Sequence, residues 1–313
     1  MGLLVDGTWQ DSWYQTDKTG GRFVRKESQF RCRLGDEQHP FAEGRYHLFV
    51  ARACPWAHRA LLYRALQGLT EAIDISIVTP LMLNEGWVFD ATHPDRLHGS
   101  THLHQLYTRA DPTYTGRVTV PLLWDTLTDT AVCNESSELI RDFEAWGGRV
   151  TRPEALTGAI DAVNDWVYND INNGVYKCGF ATTQSAYDEA VTALFAALER
   201  AEDILARQPY LAGDVVTEAD WRLFPTLLRF DLVYVTHFKC DHKRIVDYPN
   251  LWAYTRQLAQ VEGVLDTFDA APTRLHYFGS HETVNPHRIV SVGPDVDFRA
   301  AHDRGPVAWA ASS

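Results

Sequence analysis

The residues of this sequence best suited to chemistry lie in the tetrapeptide Cys54-Pro55-Trp56-Ala57. Proline is tolerated in the first turn of a helix because its missing N–H would have no intrahelical partner there, which places Cys54 at the helix cap. A thiol there meets unpaired backbone N–H groups that favour the thiolate, and such sites lower a cysteine pKa from about 8.5 to roughly 3.5–7.5. A buried, inert cysteine is the alternative, but the surrounding pattern favours a nucleophile.

Ala57 decides what kind of thiol chemistry this is. A dithiol redox motif would carry its second cysteine at this position, and the sequence has alanine. Cys54 therefore has no neighbouring thiol, and any disulfide that it forms must be resolved by a thiol from outside the chain. The pattern predicts monothiol chemistry.

The elements that must position Cys54 are readable from the apolar pattern. A short strand is predicted at Tyr46–Val50, followed by a turn and a helix whose apolar face carries Ala60, Leu61, Leu62 and Leu66. Apolar alternation at Ala72–Val78 predicts a second strand. Strand, helix and strand at this spacing indicate a parallel pair joined by a helical crossover.

Two further stretches of this part of the chain suit ligand binding. Pro121 interrupts the strand-like run Arg117–Asp125, which points to a strand start or a turn, possibly with a cis peptide bond. A short strand at Ala131–Cys133 precedes Asn134-Glu135-Ser136-Ser137, which leads into a helix at Glu138–Trp146. The free N–H groups and hydroxyls at the start of this helix can bind a carboxylate, and Glu135 can bind an ammonium group. This segment could therefore bind a zwitterion. An ordinary helix cap is the alternative.

Residues 79–116 interrupt the regular pattern, and loops of this length are usually functional or mobile. Trp87 is its conspicuous apolar residue, and the sequence leaves open whether it anchors the loop or faces a ligand. Four histidines also lie here, and their spacing favours solvated side chains over a zinc site: His93, His98, His102 and His104.

The rest of the chain divides into segments of different character. Residues 1–44 carry scattered aromatic residues and are predicted to form an ordered arm; 45–150 form the domain around Cys54. After a boundary near Gly147-Gly148 strands disappear, and 151–271 carry four helical stretches, at 153–173, 185–207, 217–235 and 249–262. In the third, Thr217 and Asp220 fit a helix-capping box. Residues 272–313 are punctuated by Pro and Gly and are predicted to be a C-terminal extension with several turns.

Composition excludes several classes of protein. The chain has 313 residues, 45% hydrophobic and 22% charged, which is enough for two cores. Five cysteines argue against a disulfide framework, and a net charge of -12 argues against nucleic acid and anionic membranes as partners. Neither a signal peptide nor a membrane span is evident, which predicts a cytoplasmic protein.

These motifs together resemble the cytosolic glutathione transferases, and more narrowly the glutathionyl-hydroquinone reductases, also called xi-class transferases. The resemblance covers about residues 40–294. It rests on ACPWAHR at 53–59, INNGVYKCGFA at 171–181, TEADWRLF at 217–224, VYVTHFKC at 233–240, and the HYFGSH and NP elements of the tail. It implies an α/β thioredoxin-like N-terminal domain followed by an all-α C-terminal domain.

The resemblance also implies roles for individual residues. Cys54 matches the nucleophile of the family, Tyr176 its proton donor, and Tyr234 and Tyr277 the tyrosines that keep the cysteine ionised. The residues that match the glutathione-binding set are Trp87, Arg117, Val118, Thr119, Val120, Glu135 and Ser136. No metal is implied, although His237, Cys240 and His242 are ligand-type residues.

The activity implied is the removal of glutathione from S-glutathionyl-hydroquinones through a Cys54 mixed disulfide. The co-substrate is glutathione, or another low-molecular-weight thiol, and the partner is a small quinone conjugate; a homodimer is implied as well. One alternative is a general monothiol thioltransferase or dehydroascorbate reductase of the omega-like kind. Another is a non-catalytic binding module, because a fold does not fix a function.

Overall fold

The computed structural model describes residues 2–311, which contain seven strands and ten α-helical segments. The strands are β1 (Leu3–Val5), β2 (Thr8–Gln10), β3 (Tyr46–Val50), β4 (Ile73–Ile77), β5 (Gly116–Arg117), β6 (Leu122–Asp125) and β7 (Thr130–Cys133). The helices are α1 (Pro55–Leu66), α2 (Leu103–Ala110), α3 (Ser136–Gly147), α4 (Thr157–Trp166), α5 (Gly174–Gly179), α6 (Gln184–Leu205), α7 (Glu218–Arg229), α8 (Val235–His237), α9 (Pro249–Ala259) and α10 (Ala270–Ser280). Two π-helical segments, Val167–Asn172 and Phe230–Tyr234, adjoin α4 and α7.

The chain forms two compact units. Unit 1 comprises residues 1–14, 26–148 and 267–280; unit 2 comprises 15–25, 149–266 and 281–313. The sequence boundary near Gly147-Gly148 coincides with the end of the main segment of unit 1. Both units also take in segments from elsewhere in the chain, and the four-part division into 1–44, 45–150, 151–271 and 272–313 stays a prediction.

Unit 1 is built on a four-stranded sheet in the order β4-β3-β6-β7. Strand β3 is buried at all five positions, so both faces of the sheet are covered at this strand. It pairs parallel with β4, and α1 forms the crossover between them, as the sequence predicts. Strands β6 and β7 add antiparallel partners. The mixed sheet with its crossover helix confirms the predicted α/β class of this unit.

Helix α1 begins where Cys54 caps it and Pro55 enters its first turn. The predicted apolar face is buried, with Ala60 and Leu62 fully inaccessible and Leu61 and Leu66 nearly so. Since the helix follows a buried strand directly, the position of Cys54 is fixed by the sheet on one side and the helix on the other.

Three elements of unit 1 differ from the sequence expectation. Helix α2 lies within 79–116, where only a loop is predicted. Helix α10 occupies 270–280, where the turn signals predict an irregular tail. Within the arm, β1 and β2 form a hairpin, and β1 also pairs with β5, so this arm carries strands although its aromatic residues show no period.

Unit 2 is helical, as predicted. Thr217 and Asp220 form the expected capping box at the start of α7: the Asp220 carboxylate accepts hydrogen bonds from the Thr217 N–H (2.7 Å) and hydroxyl (2.8 Å). The same carboxylate accepts from the Leu211 N–H and the Tyr254 hydroxyl. Burial raises the pKa of Asp220, which these four donors oppose. In the described part of the chain, none of the helices has both the length and the apolar character of a membrane span.

Candidate active site

Cys54 occupies the N-cap of α1 with extended backbone, as its sequence context predicts. Its Sγ accepts a hydrogen bond from the Ala57 N–H at 3.5 Å and lies 3.6 Å from the Val120 carbonyl oxygen. The side chain is half-buried. The thiol is therefore held by a helix N-terminus and faces the segment before Pro121.

The other cysteines have different environments. Cys133 and Cys240 are buried, and burial raises the pKa of both thiols, which keeps them protonated. Cys178 is buried as well, and Cys32 is exposed. All five cysteines lie within residues 2–311, and no disulfide joins any two of them. Cys54 alone among the five combines partial exposure with a position at a helix cap.

The peptide bond between Val120 and Pro121 is cis, as the sequence allows. The hydroxyl of Tyr107 donates to the Thr119 carbonyl (2.7 Å) and accepts from the Thr119 N–H (3.1 Å). In an extended segment, backbone polar groups point to alternate sides. Because Thr119 is held by Tyr107, we expect Val118 and Val120 to present their backbone groups to the opposite side, where Val120 faces the thiol.

Arg117 belongs to β5, and its guanidinium is engaged by the arm. It donates to the carbonyl oxygens of Ser12 and Trp13 and lies 4.3 Å from the ring centroid of Tyr14. The side chain thus fixes the arm against the start of the predicted binding segment. The role of its backbone in binding a tripeptide stays a prediction.

Glu135 and Ser136 form the start of α3. The Glu135 side chain is the N-cap: Oε1 accepts from the Ser137 N–H (3.0 Å) and hydroxyl (2.9 Å), and Oε2 accepts from the Ser28 hydroxyl (3.3 Å). Ser136 is buried in the first turn. The structure thus brings a half-exposed carboxylate and a helix N-terminus together. Both interpretations of this segment, a zwitterion-binding site and a helix cap, require that arrangement. The helix cap is confirmed, and the role of Glu135 and Ser136 in binding a zwitterion stays a prediction.

Trp87 and Tyr277 are connected through α10. The Trp87 ring is buried and stacks on His276 with 4.8 Å between ring centroids. On the same helix, the Thr273 hydroxyl lies 3.5 Å from the carbonyl of Arg52, two residues before Cys54. Tyr277 follows Thr273 by four residues and therefore lies on the same helix face. Helix α10 thus contacts both the Trp87 loop and the turn before the nucleophile.

Tyr176 and Tyr234 lie together in unit 2. Their ring centroids are 6.2 Å apart, and the Tyr234 ring stacks on Phe238 at 5.6 Å. The guanidinium of Arg25 lies 5.2 Å from the Tyr176 ring centroid and donates to Asn173 at 2.9 Å. Close packing here requires glycine at position 179, because a Cβ there would lie 2.0 Å from the Phe238 ring. The cluster brings the two predicted tyrosines together and adds a cation.

Two glutathione S-transferase models match this chain, the N-terminal domain at residues 53–146 and the C-terminal domain at 184–257. Glutathionyl-hydroquinone reductase YqjG of Escherichia coli K12 is 50% identical over 323 aligned residues, covering 97% of this chain and 98% of that protein. Glutathionyl-hydroquinone reductase PcpF of Sphingobium chlorophenolicum is 51% identical, with 94% and 96% of the two chains covered.

Comparison with solved structures also gives glutathione transferases. The xi-class transferase of Natrialba magadii has 44% identity and a TM-score of 0.91, with 98% of each chain covered. The chain belongs to the xi-class glutathione transferases. The glutathione-bound structure of Escherichia coli YqjG has 47% identity and a TM-score of 0.84, with 96% of this chain and 98% of that chain covered. Membership in the xi class confirms the resemblance and the two-part fold class inferred from the motifs.

Three residues that contact candidate site residues of this xi-class transferase are not predicted by the sequence. Tyr107 lies on α2, where Leu103, Leu106 and Tyr107 are all buried, and their spacing in the sequence is typical of a helix. Arg25 lies in the arm without any motif, so only the fold reveals its contact with Tyr176. His276 was part of a matched motif, but its stacking on Trp87 depends on tertiary packing.

The four histidines within residues 79–116 also differ from expectation. His93, His98, His102 and His104 are all partly buried, whereas the spacing predicts solvated side chains. His237 lies 3.0 Å from His281, nitrogen to nitrogen, and the His242 ring contacts Phe195, so these two side chains have separate partners.

Proposed function

We propose that this xi-class transferase is a glutathionyl-hydroquinone reductase that works through Cys54. The observation that carries the proposal is the monothiol at the α1 cap, facing the Val120 carbonyl beside the cis Pro121. It occurs in a chain that matches two proteins of that name at about half of all positions over nearly their full length. A single thiolate beside a peptide-binding segment suits exchange with a glutathionyl sulfur.

The first step transfers glutathione from the aromatic ring to the enzyme. The Cys54 thiolate attacks the sulfur of the conjugate, a new S–S bond forms, and the bond between sulfur and the ring carbon breaks. The ring carbon leaves with the electron pair and takes a proton, for which we assign Tyr176 as the donor. The ring is reduced and Cys54 is oxidised to a mixed disulfide.

The second step restores the thiol. The thiolate of a free glutathione attacks the glutathionyl sulfur of the mixed disulfide, releases glutathione disulfide and leaves Cys54 as thiolate. Since Ala57 provides no internal thiol, an external one is required. We assign Tyr234 and Tyr277 to hydrogen bonds that favour the charged form of the cysteine.

The glutathione-binding site that we propose is formed by residues of unit 1. In this proposal the carbonyl and N–H of Val120 pair with the backbone of the tripeptide, and the segment Arg117–Val120 forms the edge. The Glu135 carboxylate accepts from the ammonium group, and Ser136 and the α3 N-terminus bind the γ-glutamyl carboxylate. Trp87 contacts the peptide from the neighbouring loop.

Mass spectrometry of the intact enzyme tests the chemistry. After one equivalent of a glutathionyl-hydroquinone is added without free thiol, we expect one glutathione adduct, located on Cys54, and one equivalent of released hydroquinone. Cys54→Ser should show neither, whereas Cys32→Ser, which removes an exposed cysteine, should behave like the natural protein. Hydroquinone release without an adduct on Cys54 contradicts the mechanism.

Substrate choice is tested by comparing rates. The reductase proposal predicts faster turnover of a glutathionyl-hydroquinone than of a small glutathione mixed disulfide or dehydroascorbate. The opposite order would favour the thioltransferase reading. Parallel assays with another low-molecular-weight thiol in the second step establish whether glutathione is the preferred reductant.

Assembly and location belong to the same proposal. We expect a homodimer, which light scattering coupled to gel filtration measures directly. We also expect a cytoplasmic location, because the second step consumes reduced glutathione, which that compartment maintains. Cell fractionation tests this expectation.

A further inference from the structure

Three side chains with metal-ligating atoms converge in unit 1, away from the thiol chemistry. The Nε2 atoms of His102 and His104 each lie 3.9 Å from Oε2 of Glu85. One ligand atom from each residue lies within 4.8 Å of the other two. The two imidazole rings stack with 5.0 Å between centroids, and both Nε2 atoms face Glu85.

These distances fit a shared ion after a small adjustment. Imidazole nitrogen and carboxylate oxygen bind Zn²⁺ at about 2.0–2.2 Å, so two ligands of one ion are separated by at most roughly 4.2 Å. The 3.9 Å separations to Glu85 are already within that limit. The ligand atoms of the two histidines lie within 4.8 Å of each other, and His102 is 28% exposed, so rotation of its ring can bring this separation within the limit.

The hydrogen bonds of His102 orient its metal-ligating nitrogen. Oε1 of Gln105 accepts from the backbone N–H groups of Thr101 (3.0 Å) and His102 (3.1 Å), so this atom is an acceptor. The Thr101 hydroxyl lies 3.3 Å from the same oxygen and 2.8 Å from Nδ1 of His102. This contact occupies Nδ1, so Nε2 is the ring nitrogen of His102 that faces Glu85.

His104 is held by packing. Its ring stacks on Trp9 at 4.8 Å, and the Trp9 indole donates to the Asn84 carbonyl at 2.9 Å. Nε2 of His104 is buried and has no hydrogen-bond partner within the described residues. Gly86 has a positive φ of 70°, and a Cβ on it would lie 2.7 Å from the Trp9 ring, so the loop carrying Glu85 is fixed against the same ring.

We propose that Glu85, His102 and His104 bind a divalent transition-metal ion of the zinc type. Two imidazoles and one carboxylate are a ligand set suited to Zn²⁺, Co²⁺, Ni²⁺ or Cu²⁺, whereas Mg²⁺ and Ca²⁺ prefer oxygen ligands alone. Water completes the coordination. The histidines are two residues apart at the start of α2, and the carboxylate comes from a separate loop, so only the folded chain assembles the site.

A metal ion bound at this site would stabilise the loop that carries Trp87. His102 pairs with Val88 in an antiparallel bridge, and the Leu103 N–H donates to the Trp87 carbonyl at 2.9 Å. An ion held by Glu85 and His102 therefore joins both sides of the Trp87 loop. Bound metal should stabilise this loop, and the inference does not depend on the reaction proposed for Cys54.

Competition with a chromophoric chelator for Zn²⁺, on protein stripped of metal, tests the proposal. We expect one Zn²⁺ per chain in the natural protein and in Cys54→Ser, which removes the competing thiolate. Glu85→Gln and His102→Ala should each weaken binding by about tenfold or more, and the isosteric Thr101→Val, which frees Nδ1 of His102, by about tenfold. His93→Ala, a histidine of the same loop outside the cluster, is the matched control and should bind normally.

Co²⁺ provides a spectroscopic readout. Bound to this ligand set it should show visible d–d bands without the strong near-ultraviolet charge-transfer absorption of a thiolate ligand. Unchanged Zn²⁺ affinity in both Glu85→Gln and His102→Ala would overturn the proposal, as would loss of binding in Cys54→Ser or no binding by the natural protein. Circular dichroism of each variant checks the fold, and Glu85→Gln, at an exposed position, keeps the test decisive if His102→Ala does not fold.

Discussion

Replacing Glu135 with Gln separates two roles that the structure gives this residue. Oε1 caps α3 by accepting from the N–H and hydroxyl of Ser137, and Oε2 faces the Ser28 hydroxyl. Glutamine has the same shape and keeps one acceptor oxygen for Ser137, but it carries no charge. The variant should therefore retain the helix cap and lose the attraction for the ammonium group of glutathione.

The magnitude follows from the environment of the carboxylate. A hydrogen bond to a charged group contributes about 1.5–3 kcal/mol, and Glu135 is half-exposed, which places it at the lower end because solvent screens the pair. About 1.5 kcal/mol corresponds to roughly a tenfold rise in the Kd for glutathione. Glu135→Ala should show the same loss of affinity and, in addition, lower the free energy of unfolding by about 1 kcal/mol through loss of the cap.

Titration calorimetry with reduced glutathione measures the affinities, and urea unfolding measures the stabilities. Glu138→Gln is the matched control: it removes the same charge from the first turn of the same helix, but its carboxylate is paired with Arg31. We expect its glutathione affinity to stay within about twofold of the natural protein. A Glu135→Gln variant that binds glutathione as tightly as the natural protein would refute the assignment of Glu135.

Three further outcomes are expected. Asp220→Ala should lower the free energy of unfolding by about 3–5 kcal/mol in urea, because four buried donors, the Tyr254 hydroxyl among them, lose their acceptor; Asp203→Ala, at an exposed position, should change it little. Burial raises the pKa of Asp125, but hydrogen bonds, above all from Arg45, more than offset this and hold it below its usual range. The resulting stability is complete above the unfolded pKa of about 3.9 and is lost as pH falls below it, so the stability difference between the natural protein and Arg45→Gln should shrink from about pH 5 to pH 3. Tyr176→Phe should slow hydroquinone release in a single turnover and leave resolution of the mixed disulfide unchanged; equal slowing of both steps would contradict its role as proton donor.

The elements predicted correctly from sequence carry strong local signals. The strand, turn and Cys54-Pro55 helix start, the proline at 121 and the Thr217–Asp220 capping box each depend on residues within about ten positions of one another. In such cases backbone geometry and capping chemistry limit the local conformation, so the sequence is informative without tertiary contacts.

Helix α10 shows why other elements were missed. Pro272 and Gly279 indicate turns, but Pro272 lies in the first helical turn, where its missing N–H has no intrahelical partner. Gly279 lies near the end of the helix, where a Cβ would be 2.6 Å from Leu81. Both residues are thus compatible with the helix, and tertiary packing rather than local preference decides the outcome. The cluster of Glu85, His102 and His104 was missed for a related reason, because its members come from two segments that only the fold brings together.

The two π-helical segments of unit 2 lie next to, or contain, the candidate catalytic tyrosines. Tyr234 is the last residue of one, and Tyr176 lies a few residues after the other. The bonds from Asn173 N–H to the Tyr168 carbonyl and from Val235 N–H to the Phe230 carbonyl each span five residues rather than four. An extra residue in a turn rotates all later side chains by about 100° relative to an uninterrupted α-helix. Such turns are rare and occur frequently at functional sites. Here they help to set the directions in which Tyr176 and Tyr234 point within the aromatic cluster that Arg25 also contacts.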